Sequence, residues 1–173
     1  MAATFVVEDG SSKTDSNSYL SVADADQYHE NHSGSTTWSG ETQANKEKAL
    51  RLATQYLDIV YGDQWEGVRS DVDQALDWPR FDVTTHDEDD WWESDEMPQP
   101  LMDACAELAL ISMSETLLPN QSTSGTVKKS SVRVGELSES IEYMGGNSPF
   151  TMFSVVEALV SELIEQAGTI ERS

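Results

Sequence analysis

Acid–base or nucleophilic chemistry in this chain would have to start from three histidines, His29, His32 and His86, since imidazole titrates near neutral pH. A nucleophilic triad needs a serine or cysteine held against one of them. The sequence has no Gly-x-Ser-x-Gly elbow and a single cysteine, Cys105. The histidines therefore read as surface polar residues. Cys105 sits within an apolar helical pattern and reads as a buried small hydrophobe. A lone cysteine also excludes an intrachain disulfide. The run HDEDDWWESDE holds Asp87, Glu88, Asp89, Asp90, Glu93, Asp95 and Glu96. A calcium loop alternates its carboxylates around a glycine turn, whereas this run has no glycine and interleaves Trp91 and Trp92. It is expected to hold no metal, with the two tryptophans anchoring it to the domain or to a neighbouring copy. EYMGGNS precedes a helix but lacks the lysine of a phosphate loop. The chain is thus expected to be no enzyme and to take no cofactor.

Charge bounds the partners. Ten Lys and Arg face 32 Asp and Glu, a formal charge of -22. Nucleic-acid affinity comes largely from neutralising phosphates, so a binder normally shows a basic face. The only basic cluster is Lys128, Lys129 and Arg133, which could equally meet an acidic patch on a neighbouring copy. No run approaches the ~20 apolar residues of a membrane span, and the start, MAATFVVEDG, lacks the pattern of a signal peptide. A soluble, intracellular protein is expected.

The elements that must position these residues are mostly helical. Residues 1–18 read as an extended arm. Ser21 and Asp24 form a capping box before a helix from Val22 to about Glu30. NHSGSTTWSG reads as a loop pinned by Trp38. A second helix, about Glu41 to Tyr61, carries Ala49, Leu52, Ala53, Tyr56, Leu57 and Val60 on one stripe, with Lys46, Lys48 and Arg51 mostly off it. Gly62 stands where a left-handed cap belongs. Residues 63–97 have no long period, but Trp65, Leu76, Trp78 and Phe81 make them a packed loop. A third helix opens at MPQP, buries Leu101, Ala104, Cys105, Leu108 and Ile111, and stops at Pro119. Residues 127–144 read as a hairpin or paired extended segments. A fourth helix runs from Pro149 to about Ala167, with a wide apolar face. The fold class is mainly α: a small four-helix domain with a hairpin, an N-terminal arm and a C-terminal tail. The division is 1–18, 19–144 and 145–173.

The succession NSYLSVADADQYHE, ALRLATQYLDIVYGDQWEGVRSDVDQALDWPR, MPQPLMDACAELAL and RVGELSESIEY resembles a family of tailed-phage proteins. Its members look like head-tail connector (adaptor, or head completion) proteins and are often labelled DnaT-like single-stranded-DNA-binding proteins. The resemblance runs from about Phe5 to Tyr143. It implies a structural virion protein at the head-tail interface, found in the host cytoplasm during assembly. It implies a ring of 12 copies under the portal that extends the DNA channel and receives a stopper or tail protein. DNA would pass through without specific binding, along an acidic lumen. The alternative is a single-stranded-DNA-binding or replication-associated phage protein.

Within the resemblance, Trp78 is expected to fill a groove between the second and third helices. Pro79 would hold the backbone extended, and Arg80 would pair with Asp58 or Asp77. Lys128, Lys129, Arg133, Trp91 and Trp92 are the expected inter-subunit contacts. Val155, Val160 and Ile164 exceed what a small domain needs to bury. Val160, Ile164 and the tail Thr169, Ile170, Glu171, Arg172 and Ser173 are expected to dock on the portal.

Overall fold

Local side chains set where the helices begin. Ser21 accepts from Asp24 N at 3.1 Å and donates to its carboxylate at 2.5 Å, so the reciprocal cap forms and α1 spans Val22–His32. Thr42 caps α3, its Oγ1 3.3 Å from Asn45 N, and α3 spans Gln43–Tyr61. Between them lies a one-turn helix, α2, Thr36–Ser39, where a loop was expected. Its Trp38 is buried, and Nε1 donates to Asp26 at 2.7 Å. α4 spans Gln99–Ser112 with Pro100 in its first turn, where a missing N–H breaks no helical bond. It ends well before Pro119, because Ser112 and Ser114 donate to the carbonyls of Ala109 and Ile111 (2.7 and 3.2 Å) and satisfy the last turn.

The computed structural model describes residues 4–32, 36–85, 90–118 and 151–165, and 127–133 and 138–143 through their backbone. Among these the chain is mainly helical, with five helices and two small antiparallel strand pairs. β1 (Val68–Arg69) pairs with β2 (Arg80–Phe81). β3 (Val127–Arg133) pairs with β4 (Ser138–Tyr143), the expected hairpin. α5 spans only Ser154–Val160. The expected helix was longer because its apolar period continues. Instead the chain leaves the helix to pair with residues 64–66: Glu66 N donates to Leu163 O at 3.0 Å and Glu165 N to Gln64 O at 2.8 Å. Ser148, Pro149, Phe150, Ala167 and Gly168 lie outside the described residues.

The chain forms two compact units, Leu118–Met152 and the remainder. In the larger unit α3 packs on α4, and α4 on α5. Leu50, Ala53, Tyr56 and Leu57 of α3, Leu101, Ala104, Cys105 and Leu108 of α4, and Val156 and Val160 of α5 are buried. The small Cys105 side chain sits 3.9 Å from Leu50 O of α3. Cys105 Sγ lies 3.6 Å from Thr54 Oγ1, and burial pushes its thiol up to about 12, so the expected inert role holds. Truncating Leu57 to alanine would cost about 2–5 kcal/mol.

Residues 4–18 are not the extended arm expected but a folded loop. Glu8 is buried, and its carboxylate accepts from the amides of Asp9, Gly10, Ser12 and Lys13 and from Ser16 Oγ, at 2.9–3.2 Å. A buried carboxylate gathering these donors ties the turn-rich stretch EDGSSKTDS into a fixed loop.

Candidate functional site

The stretches YLD, ending α3, and DWPR, after it, meet through a residue in neither. Tyr19 is buried, donates its hydroxyl to Asp58 and accepts from Asp77 N at 3.1 Å. Burial is the main force raising the Asp58 carboxyl to about 7, and the Asp77 charge adds to it, while the Tyr19 hydrogen bond and Arg69 pull it down. Burial also raises Asp77, against the pull of Arg69 and Arg80. Gly62 is right-handed, φ -48°, so no left-handed cap forms. A Cβ there would lie 2.4 Å from Asp58 O and 2.9 Å from Asp77 Oδ2. Glycine is needed for close approach, not for its φ.

Trp78 is fully buried, and its ring meets Trp65 edge-on at 5.8 Å. The Trp78–Pro79 peptide is cis, not the extended link expected. Arg80 is buried but pairs with no carboxylate among the described residues. Nε donates to Glu66 O (2.8 Å), Nη2 to Gly67 O (2.7 Å) and Nη1 to the backbone oxygen of Asp77 (3.3 Å). The turn at 65–67 leaves carbonyls that no strand satisfies, and the five-donor guanidinium supplies what they lack. Gln74 does the same for Leu76 O and Pro79 O, at 2.8 and 3.1 Å. The Asp58–Arg80 constellation is therefore a structural corner.

Other expected site residues are redistributed. Val160 is fully buried, and Ile164 is half-buried and bridged to Trp65, so neither is spare docking surface. Val155 is exposed, as expected. Thr169, Ile170, Glu171, Arg172 and Ser173 lie outside the described residues, as do Asp87, Glu88 and Asp89. Trp91 is 54% exposed and bridges Thr84 through its backbone, while Trp92 is half-buried and its amide donates to Val83 O at 2.9 Å. Phe81 is exposed rather than packed. Lys46 is buried against Asp26, 2.8 Å away, and so belongs with the packed face. His29 is buried, its ring 4.7 Å from Trp38, which corrects its reading as surface polar. His32 is exposed, and His86 lies outside the described residues.

Lys128, Lys129 and Arg133 lie on β3, whose register with β4 sets Lys129 opposite Glu142, Arg133 opposite Ser138 and Val127 opposite Tyr143. Between Val127 and Lys129 the register shifts, so β3 spends one extra residue, Lys128, against β4. Bulges of this kind raise local twist and free a position from the ladder. Among the described residues no group of His, Cys, Asp and Glu could hold a metal ion.

Residues 3–173 match the model of a family described as "Putative DnaT-like ssDNA binding protein". No curated protein and no solved structure matches. The family match overturns the head-tail connector identification and favours the single-stranded-DNA alternative. The portal, stopper, 12-copy ring and virion expectations lose their premise with it. A net negative charge does not by itself exclude phosphate contacts, which depend on where the cations sit.

Proposed function

Given that the chain belongs to the DnaT-like single-stranded-DNA-binding family, we propose that it binds single-stranded DNA, with the β3–β4 hairpin making the phosphate contacts. The observation that carries this reading is the concentration of Lys128, Lys129 and Arg133 on one seven-residue strand. Of the other basic residues, Lys46, Lys48 and Arg51 share α3, where Lys46 is buried and Lys48 exposed, and several of the rest are engaged in the fold. Lys13 pairs with Asp9 at 2.6 Å and Lys46 with Asp26 at 2.8 Å. Arg69 and Arg80 donate to backbone carbonyls. Tyr143 adds an aromatic ring to the same hairpin, and base–aromatic stacking is tolerant of sequence.

The net charge of -22 shapes how such binding must work. Long-range repulsion slows approach, and salt screens that repulsion beyond about 8–10 Å. Short-range pairing of three cations with phosphates releases counterions and weakens with salt. The two effects oppose, which gives modest affinity with a shallow salt dependence.

The test is chromatography on immobilised single-stranded DNA at about 50 mM salt. Wild type should be retained, and the combined Lys128→Glu, Lys129→Glu, Arg133→Glu variant should flow through. Wild type flowing through would refute the reading. Equal retention of both proteins would remove the hairpin from it.

A further inference from the structure

A cleft of about 530 Å³ lies between α1 and the start of α4. That is the size of a small-ligand site. Its chemistry is unusual for a protein of a nucleic-acid-binding family, because its lining contains no lysine or arginine. Three side-chain amides, Gln27, Asn31 and Gln99, line it together with the carboxylates Asp24 and Asp103. Gln99 Nε2 already donates to Asp103 at 2.7 Å, which fixes the orientation of the Gln99 amide and of its acceptor carbonyl. One wall is aromatic: Tyr28 and His32 stack with centroids 4.2 Å apart and planes 19° apart. That wall is held from both ends. The Tyr28 hydroxyl donates to Glu107 at 2.9 Å, and His32 Nδ1 lies 2.9 Å from Tyr28 O. Leu20 and Met102 supply apolar surface.

These properties select a ligand class. Two carboxylates and no cation repel a phosphate. Surplus acceptors demand a ligand rich in donors, and a fixed aromatic wall suits a flat ring. Carboxylates accept from the exocyclic amine of cytosine, and Asn or Gln amides pair with adenine. We propose that this cleft takes an amine-bearing nucleobase, cytosine, adenine or guanine, with its sugar and phosphate directed away. The proposal rests on the reading that the protein binds single-stranded DNA, and it gives an acidic protein a way to hold a base without meeting a phosphate. Thymine, which has no exocyclic amine, is disfavoured.

The source of the base, a DNA strand or a free nucleoside, separates in the test. Fluorescent oligonucleotides about 15 nucleotides long, of deoxycytidine, deoxyadenosine, thymidine or abasic sugar, are titrated with the full-length chain. Free deoxycytidine is titrated in parallel by ligand-detected NMR. His32→Ala and Asn31→Ala alter exposed positions on α1 and leave the core intact. The cytosine and adenine strands should bind about tenfold more tightly than the thymine strand. Both variants should erase that preference without changing abasic binding. Equal affinity for all four strands, unchanged in both variants, overturns the cleft while single-stranded-DNA binding stands. Binding of free deoxycytidine that His32→Ala abolishes, with no strand binding, upholds the cleft and removes the single-stranded-DNA reading. No binding of either probe overturns both.

Discussion

Replacing Asp58 with asparagine should make the protein more stable at alkaline pH, although it removes a hydrogen-bonded carboxylate. Burial raises the carboxyl from its ordinary 3.8 to about 7. The folded state therefore holds this proton more tightly than the unfolded chain does. The linked stability is fully present below about pH 4 and is lost progressively as pH rises through about 7. At about 1.36 kcal/mol for each tenfold change in proton affinity, the ionised carboxylate costs the fold about 4 kcal/mol above pH 8. The raised Asp77 carboxyl acts with the same sign. An asparagine in the Asp58→Asn variant keeps an acceptor for the Tyr19 hydroxyl and carries no charge to desolvate. Urea unfolding followed by tryptophan fluorescence between about pH 4 and 9 reads the difference, and other acids largely cancel between the two proteins. The variant should equal or trail wild type near pH 4 and exceed it by about 2–4 kcal/mol near pH 8.5. A stability difference that stays flat with pH would refute the assignment of a buried, proton-holding Asp58.

Arg80→Met should destabilise by about 3 kcal/mol, because it strands the carbonyls of Glu66, Gly67 and Asp77 that the guanidinium satisfies. A loss below about 0.5 kcal/mol in urea unfolding would place Arg80 in solvent. Gly62→Asn should lower the midpoint sharply, since a Cβ would lie 2.4 Å from Asp58 O. A left-handed cap would tolerate asparagine there, so a neutral result would restore the cap that the helix pattern suggested. Glu8→Ala should expose the loop 8–16 to protease, because five donors lose one carboxylate. Limited proteolysis at unchanged rate would contradict that loop's dependence on Glu8.

Features carried by local chemistry were legible in the sequence. The Ser21 cap, the α3 stripe apart from the exposed Leu52, Pro100 in the first turn of α4, the β3–β4 hairpin and the buried Cys105 all follow from spacing within a few residues. Features set by distant backbone were not. The partners of Arg80 are carbonyls, which have no side-chain signature, so the acids nearest in sequence looked like the natural mates. The apolar period continues past Val160, yet the chain there is recruited by residues 64–66. His29 shares a helical face with Val22 and Ala25, so its burial followed from the i, i+3, i+7 spacing, but its polar type was read as surface, and its partner Trp38 comes from the separate α2. The basic strand was visible, but it was weighed against total charge rather than read as a local site. The cleft could not be read at all, because Gln27, Asn31 and His32 meet Gln99 and Asp103 only once α1 lies beside α4.

The salt dependence of single-stranded-DNA affinity tests the central claim most directly. Three phosphate contacts give a slope of about -2 for log affinity against log salt, and screening of the -22 charge makes it shallower. Fluorescence anisotropy of a labelled strand between about 50 and 200 mM salt should yield a slope between about 0 and -2. The Lys128→Ala, Lys129→Ala, Arg133→Ala variant should lose most of the binding. An absence of binding by wild type across this range, or a slope steeper than about -4 that the variant retains, would contradict single-stranded-DNA binding through the hairpin.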